Sequence, residues 1–242
     1  MEIANIQTFI LYSPKEKDRT ERVKAMSKQF SSFTISESIY PTSTRIPFLD
    51  KLIQKSKERT GKALMATEIA CLIGHRNILR KIVKAATNDQ EHFLVLESDS
   101  RILNFELLSS QFKKMSKAHD IFFWGAWEGN AKIKRSTIQE HIGAYTIGEP
   151  LINTIYCAYG YSINRPTAKY LLKQTNKIAT PFDIFKQFID PNQIKVGTIY
   201  KEIITTWDKG SYIRKDKFGY HFKRGIILFV LNIRNSLKAY FS

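Results

Sequence analysis

At 242 residues the chain can bury one full core, and 43% hydrophobic with 25% charged residues is the balance of a folded globular protein, not of a disordered or fibrous one. Its 38 Lys and Arg against 22 Asp and Glu leave a net charge of +16, which draws anionic partners: nucleic acid, lipid head groups or phosphorylated sugars. Two cysteines, Cys71 and Cys157, give no disulfide framework and, lying in apolar runs, read as buried free thiols of a reducing compartment. The opening residues lack the basic-then-apolar pattern of a secretory signal, no apolar run approaches the ~20 residues that span a bilayer, and no internal repeat is visible.

In chain order, residues 6–12 read as a first strand with Ser13-Pro14 as its turn, and 18–30 as a helix through Val23, Met26 and Phe30. Residues 33–40 alternate and read as a second strand, followed by a Pro/Ser/Thr loop at 41–47 and a basic helix over 48–59. The pattern then predicts a long amphipathic helix over 67–86, with Thr67 as N-cap, and a strand over 93–96. A helix over 107–118 leads to a buried strand at 120–124. Tyrosines at near-alternate positions suggest a strand within 152–163, and Pro166 opens a helix running to 174. Alternating strands and helices predict a single α/β domain around a mostly parallel sheet.

One stretch carries chemistry. Phe93 to Leu96 form an apolar strand covered on both faces, and Glu97 and Asp99 follow at its C-terminal end, where open α/β sheets bind ligands. Carboxylates at i and i+2 suit a hard divalent cation holding a phosphorylated ligand; the alternative is a pair of solvated acids on a turn. His75 projects from the apolar side of the preceding helix, where a core histidine is the commoner outcome than a ligand.

The run Thr67 to Arg76, then Ile82-Val83, then Leu94-Val95-Leu96-Glu97-Ser98-Asp99, resembles the core of glycosyltransferase family 25, which includes lipooligosaccharide galactosyltransferases and collagen galactosyltransferases. Phe9 to Tyr12 with Lys15, Lys17, Asp18, Arg19 and Arg22 is similar to that family's opening strand and basic Asp-Arg loop. Residues 156–172 and Pro181-Phe182-Asp183 are similar to its later strand, helix and Pro-x-Asp segment, so the resemblance spans residues 5–212. It implies a GT-A, Rossmann-like nucleotide-sugar transferase over 1–211 that moves galactose from UDP-galactose, with inversion, onto a lipooligosaccharide or lipopolysaccharide acceptor.

In that chemistry Glu97 and Asp99 hold Mn²⁺ or Mg²⁺, and Arg19, Arg22, His75 and Ser98 join them at the donor. The alternative for the two arginines is an ordinary exposed helix start. Asp183 is the expected base, against an N-cap of a helix over 184–188. Trp124, Trp127 and Glu128 are the candidate sugar platform, against simple core tryptophans. Two departures bear on the site: Ser98 stands where the family has an acid, which weakens the case for metal, and Tyr159 stands where the family often has a histidine.

The C-terminal extension, 212–242, interleaves Arg214, Lys215, Lys217, Lys223, Arg224, Arg234 and Lys238 with Tyr212, Phe218, Tyr220, Phe222, Phe229, Tyr240 and Phe241. This reads as a segment lying in an anionic membrane interface, with a helix packed on the domain as the alternative. The expected setting is cytoplasmic, peripheral on the inner face of the membrane, beside a lipid-linked acceptor. Rival classes are a nucleic-acid-binding protein, disfavoured because no recognition module is present, and a Rossmann-like nucleotidyl- or phosphotransferase.

Overall fold

Strand β3 (His92–Glu97) runs through the middle of the molecule, as an unbroken apolar run demands. Phe93 and Val95 enter one core with Phe9, Leu79 and Ile163, while Leu94 and Leu96 enter the opposite core with Ile10, Phe112 and Trp124. With successive side chains on opposite faces, neither face is left for water. The computed structural model describes residues 4–40, 45–126, 131–207 and 231–242.

The other strands of the main sheet are β1 (Ala4–Tyr12), β2 (Phe30–Glu37), β5 (Ile121–Phe123), β6 (Glu140–Ile142), β7 (Tyr145–Gly148), β8 (Gly160–Asn164) and β9 (Val196–Tyr200). Their order is β2-β1-β3-β8-β5-β9-β7-β6. Strands β2, β1, β3, β5, β9 and β6 point one way and β8 and β7 the other, so the sheet is mostly parallel with β8 wedged antiparallel between β3 and β5. A separate ribbon pairs β4 (Ser100–Ile102) with β10 (Ile204–Thr206).

Helices α3 (Ala66–Ala85) and α5 (Arg165–Gln174) cover one sheet face through Leu72, Ile78, Leu79, Ala168 and Leu171. Helices α1 (Thr20–Ser27) and α4 (Phe105–Ala118) cover the other through Val23, Met26, Leu108 and Phe112. The basic helix α2 (Leu49–Thr60) packs Leu52 and Ile53 on Ile69 and Ala70 of α3. Truncating any of the fully buried leucines to Ala costs about 2–5 kcal/mol.

The α/β layering is the one expected, with local differences. Helix α3 begins after Met65, not at a Thr67 cap, because the Glu68 carboxylate reaches back to accept the Met65 N–H at 2.8 Å. Only 160–163 of the stretch 152–163 is strand; it opens on a 3₁₀ turn, Ile152–Thr154, and Tyr156 and Tyr159 come before the strand begins. The helix expected over 184–188 is a single 3₁₀ turn, Phe185–Gln187. Gly125 lets the first residue of β10 lie on the exit of β5: a Cβ there would stand 1.9 Å from the Ile204 carbonyl oxygen.

At the N-terminal end of β3, His92 is buried and neither ring nitrogen has a hydrogen-bond partner. Burial pushes its pKa from 6.5 down to about 4, with Asp120 opposing and His119 assisting. The unfolded chain therefore binds a proton between pH 6.5 and 4 that the folded chain refuses, so this contribution is intact above pH 6.5 and is lost as pH falls towards 4. Its size is about 3 kcal/mol. Chemical denaturation at pH 7 and pH 4.5 should show His92→Leu losing less stability on acidification than wild type; equal losses would contradict the assignment.

Candidate active site

Because β1 and β3 are parallel neighbours, the loops leaving their C-terminal ends emerge side by side, where the sheet runs to β2 on one hand and β3 on the other. Residues after Tyr12 and residues after Leu96 meet there. The Glu97–Asp99 turn is fixed by its backbone: Glu97 N–H donates to Ser100 Oγ at 2.9 Å, Ser100 Oγ donates to the Tyr159 carbonyl, and Trp207 N–H donates to the Asp99 carbonyl at 2.9 Å. The pairing of Ser100 with Thr206 between β4 and β10 closes it.

Helix α3 brings Cys71 and His75, one turn apart, against Glu97. His75 is completely buried, its ring stacked on Phe182 with centroids 4.4 Å apart and planes 6° apart. His75 Nε2 lies 2.9 Å from Glu97 Oε1 and Nδ1 lies 3.2 Å from the Tyr161 hydroxyl. A carboxylate accepts, so Nε2–H donates to Glu97, and Nδ1 is left as the ring's partner for the Tyr161 hydroxyl. Burial, then the charge of Glu97, pushes the Tyr161 phenol well above its usual range and keeps it a donor. His75 is thus a core histidine and a partner of the carboxylate turn at once.

Arg19 is buried, contrary to an exposed helix start, and a buried guanidinium needs its charge and donors met. Its Nη1 donates to Ser98 Oγ at 2.8 Å and lies 3.6 Å from Glu16 Oε1, while Nη2 lies 3.5 Å from Asp99 Oδ2. Ser98 Oγ donates to Glu16 Oε2 at 2.6 Å. Ser98 brings no carboxylate of its own but recruits that of Glu16. Arg22 and Arg101 lie over the Trp207 ring, 5.2 and 4.5 Å from its centroid, so two further cations are held at the edge of the turn.

Cys71 Sγ lies 4.0 Å from Glu97 Oε1, and the ligand atoms of Cys71, His75 and Glu97 fall within 4.8 Å of one another. Burial, then the charges of Glu97, Asp183 and Asp99, pushes this thiol well above its usual range. Cys71 and His75 both approach Glu97 Oε1, and the three side chains are close enough together to share an ion. The donor set does fit a hard divalent cation: Glu97 spends Oε1 on His75 and Oε2 has no hydrogen bond among the described residues. Such a carboxylate, oriented from behind by a histidine, is how oxygen ligands are commonly supported.

Asp183, whose charge helps to push the Cys71 thiol up, lies in electrostatic reach of Cys71. The 3₁₀ turn that follows has no side-chain cap, so the N-cap alternative for Asp183 is not realised. Trp124 corrects an expectation: it is 0% exposed, packed on Phe112 and Phe122, with Nε1 donating to Ser162 Oγ at 3.1 Å. Strand β5 directs it into the core, so it offers no face to a sugar. Trp127 and Glu128 lie outside the described residues. Tyr159 is buried and donates to Glu202 Oε2 at 2.8 Å, behind the β4–β10 ribbon.

Glu16, Arg101, Tyr161 and Trp207 escape sequence reasoning. Glu16 sits in a loop conspicuous for its basic residues, and Arg101 and Trp207 are joined only by the pairing of β4 with β10.

The carboxylate turn stands at the C-terminal end of an inner strand, with Arg19 paired to it and Arg22 and Arg101 on the adjoining Trp207 ring, groups of the kind that bind phosphorylated ligands. The model of glycosyltransferase family 25 (LPS biosynthesis protein) matches residues 15–186, more than half of the chain, and the protein belongs to this family. It is a nucleotide-sugar-dependent glycosyltransferase. No curated protein matches the chain. Among solved structures, 4-diphosphocytidyl-2C-methyl-D-erythritol synthase from Anaerococcus prevotii is 12% identical, covering 85% of this chain and 92% of that one, with a TM-score of 0.37. Mannose-1-phosphate geranyltransferase from Thermus thermophilus is 10% identical, covering 81% and 74%, with a TM-score of 0.35. Both likenesses are too distant to bear on activity.

Proposed function

We propose that the protein transfers galactose from UDP-galactose, with inversion, to a hydroxyl of a lipid-linked lipooligosaccharide or lipopolysaccharide acceptor at the inner face of the cytoplasmic membrane. The observation that carries this reading is the Glu97–Asp99 turn tied to Arg19, with Arg22 and Arg101 beside it, in a chain of family 25. The leaving diphosphate gains charge in the transition state, and preorganised cations stabilise that charge without reorganising.

Arg19, Arg22 and Arg101 face the diphosphate. Ser98 and Glu16 hold Arg19 in place, and His75 holds Glu97. Glu97 and Asp99 would hold Mn²⁺ or Mg²⁺, which supplies Lewis-acid neutralisation of the diphosphate when bound. Asp183 takes the proton of the acceptor hydroxyl as its oxygen forms the new bond to the anomeric carbon and the bond to the diphosphate breaks.

The membrane part of the reading rests on the helical segment 231–240, which exposes Ile233, Leu237 and Tyr240 together with Arg234 and Lys238. Arg214, Lys215, Lys217, Lys223 and Arg224, and the aromatics from Tyr212 to Phe229, lie outside the described residues. Among those described, no helix is long and apolar enough to cross a membrane.

The test is a panel of nucleotide sugars, with Mn²⁺ or Mg²⁺ and with chelator, scored by thermal shift and by donor hydrolysis. UDP-galactose should give the largest shift and release free UDP, with both effects reduced by chelator. Pyrophosphate as product would instead identify a nucleotidyltransferase, and a shift with RNA or DNA alone would favour the nucleic-acid reading.

A further inference from the structure

The C-terminal helix is tied to the domain at a place that sequence gives no reason to expect. Asn153 Nδ2 donates to Asn235 Oδ1 at 3.1 Å, the Ser136 hydroxyl donates to the Ser242 carbonyl, and the Arg135 guanidinium lies 4.5 Å over the Tyr240 ring. Between this helix, the segment 131–138 and the end of β9 lies a cavity of about 430 Å³. Its walls are apolar, from Ile133, Ile138, Ala239 and the rings of Tyr200 and Tyr240, and Lys132 and Arg135 add two cations. The Lys132 side chain has no ion pair among the described residues.

Ile138 is 38% exposed, Tyr200 40% and Tyr240 57%, and large apolar side chains left open in one place mark an interaction surface. Ile233, Leu237 and Phe241 extend it as an adjoining stripe at helical spacing, with Arg234 and Lys238 exposed among them. Greasy walls with cations at the rim match an amphipathic anion, with an acyl chain for the wall and a phosphate for the cations. A nucleic-acid backbone would meet the cations and leave the apolar wall wet.

The cavity also lies at the correct end of the sheet. Strand β9 is parallel to β3 and three strands away across β8 and β5, about 14 Å at ordinary strand spacing, and Tyr200 and Glu97 both stand at C-terminal strand ends. A short oligosaccharide bridges that gap. We propose that the cavity and the apolar stripe of 231–240 dock the protein on phosphate-bearing lipid of an anionic bilayer, holding the lipid end of the acceptor while its sugar end reaches the Glu97–Asp99 turn. This rests on the transferase reading above.

The test is flotation of the full-length protein with vesicles of phosphatidylglycerol in phosphatidylcholine against phosphatidylcholine alone, with transfer to a soluble acceptor measured in parallel. Lys132→Glu and Ile138→Glu should each weaken binding to the anionic vesicles about tenfold. Lys51→Glu, an exposed lysine of α2, should leave it unchanged, and all three variants should keep wild-type melting temperature and soluble transfer. Unchanged binding in both cavity variants would overturn the docking site. So would equal binding to neutral vesicles, or release by millimolar inorganic phosphate at constant ionic strength, which would mark a site for free anions. Wild-type protein that transfers to no soluble acceptor would instead count against the transferase reading, with the vesicle result standing on its own.

Discussion

Asp99→Asn should lower kcat for sugar transfer by about 10²–10³, the scale of losing one preorganised electrostatic group at a transition state. The substitution keeps size and shape, and the Asp99 carbonyl still accepts from Trp207 N–H, so the turn persists. What is lost is the charge 3.5 Å from Arg19 Nη2, and with it the carboxylate proposed to face the donor diphosphate. Arg19 keeps its bond to Ser98 Oγ and its pairing with Glu16, so the buried guanidinium is not left without a counter-charge. Melting temperature should therefore stay near the wild-type value while turnover collapses. Near-normal turnover in steady-state assays would remove Asp99 from the site.

His75→Ala should damage two properties that a purely structural residue would not couple. The ring is completely buried and stacked on Phe182, so its loss leaves a cavity and orphans the Tyr161 hydroxyl, costing about 2–4 kcal/mol. Glu97 also loses its orienting donor at 2.9 Å, and outer partners of ligating carboxylates are worth about 10- to 100-fold in activity or metal affinity. His75→Gln, which can still present an N–H to Glu97, should recover part of the activity whether or not it recovers stability. Denaturant melts and kcat measured on the same preparations separate the two effects. A stability loss with unchanged turnover would make His75 a core residue alone.

Much of this architecture is legible in the sequence because its signals are local. Four apolar residues before Glu97 mark β3 as an inner strand, the 3.6-residue period of 67–86 marks α3, and the carboxylates at the end of that strand mark where a ligand is expected. Spacing on α3 also places Cys71 and His75 on one face. The remainder depends on contacts distant in sequence. Strands β4, β6 and β10 are three residues each, too short for any period to show. Trp207 reaches Asp99 only because β10 pairs with β4, and Glu16 reaches Ser98 only because β1 lies beside β3.

Trp124 shows the opposite failure. A tryptophan that ends a buried strand and leads into a Gly-rich loop reads either as a sugar platform or as core, and the packing of α4 across β5 decides for core. Trp207 is the tryptophan that stands at the turn, 46% exposed and already carrying Arg22 and Arg101 on its ring.

The donor diphosphate is proposed to bind at the turn that ends β3, and a crystal structure with UDP and Mn²⁺ is the direct test. Diphosphate density is expected against Arg19, Ser98 and Asp99, with Arg22 and Arg101 alongside. Well-ordered UDP elsewhere, with the Arg19–Asp99 and His75–Glu97 contacts undisturbed and empty of ligand, would contradict it.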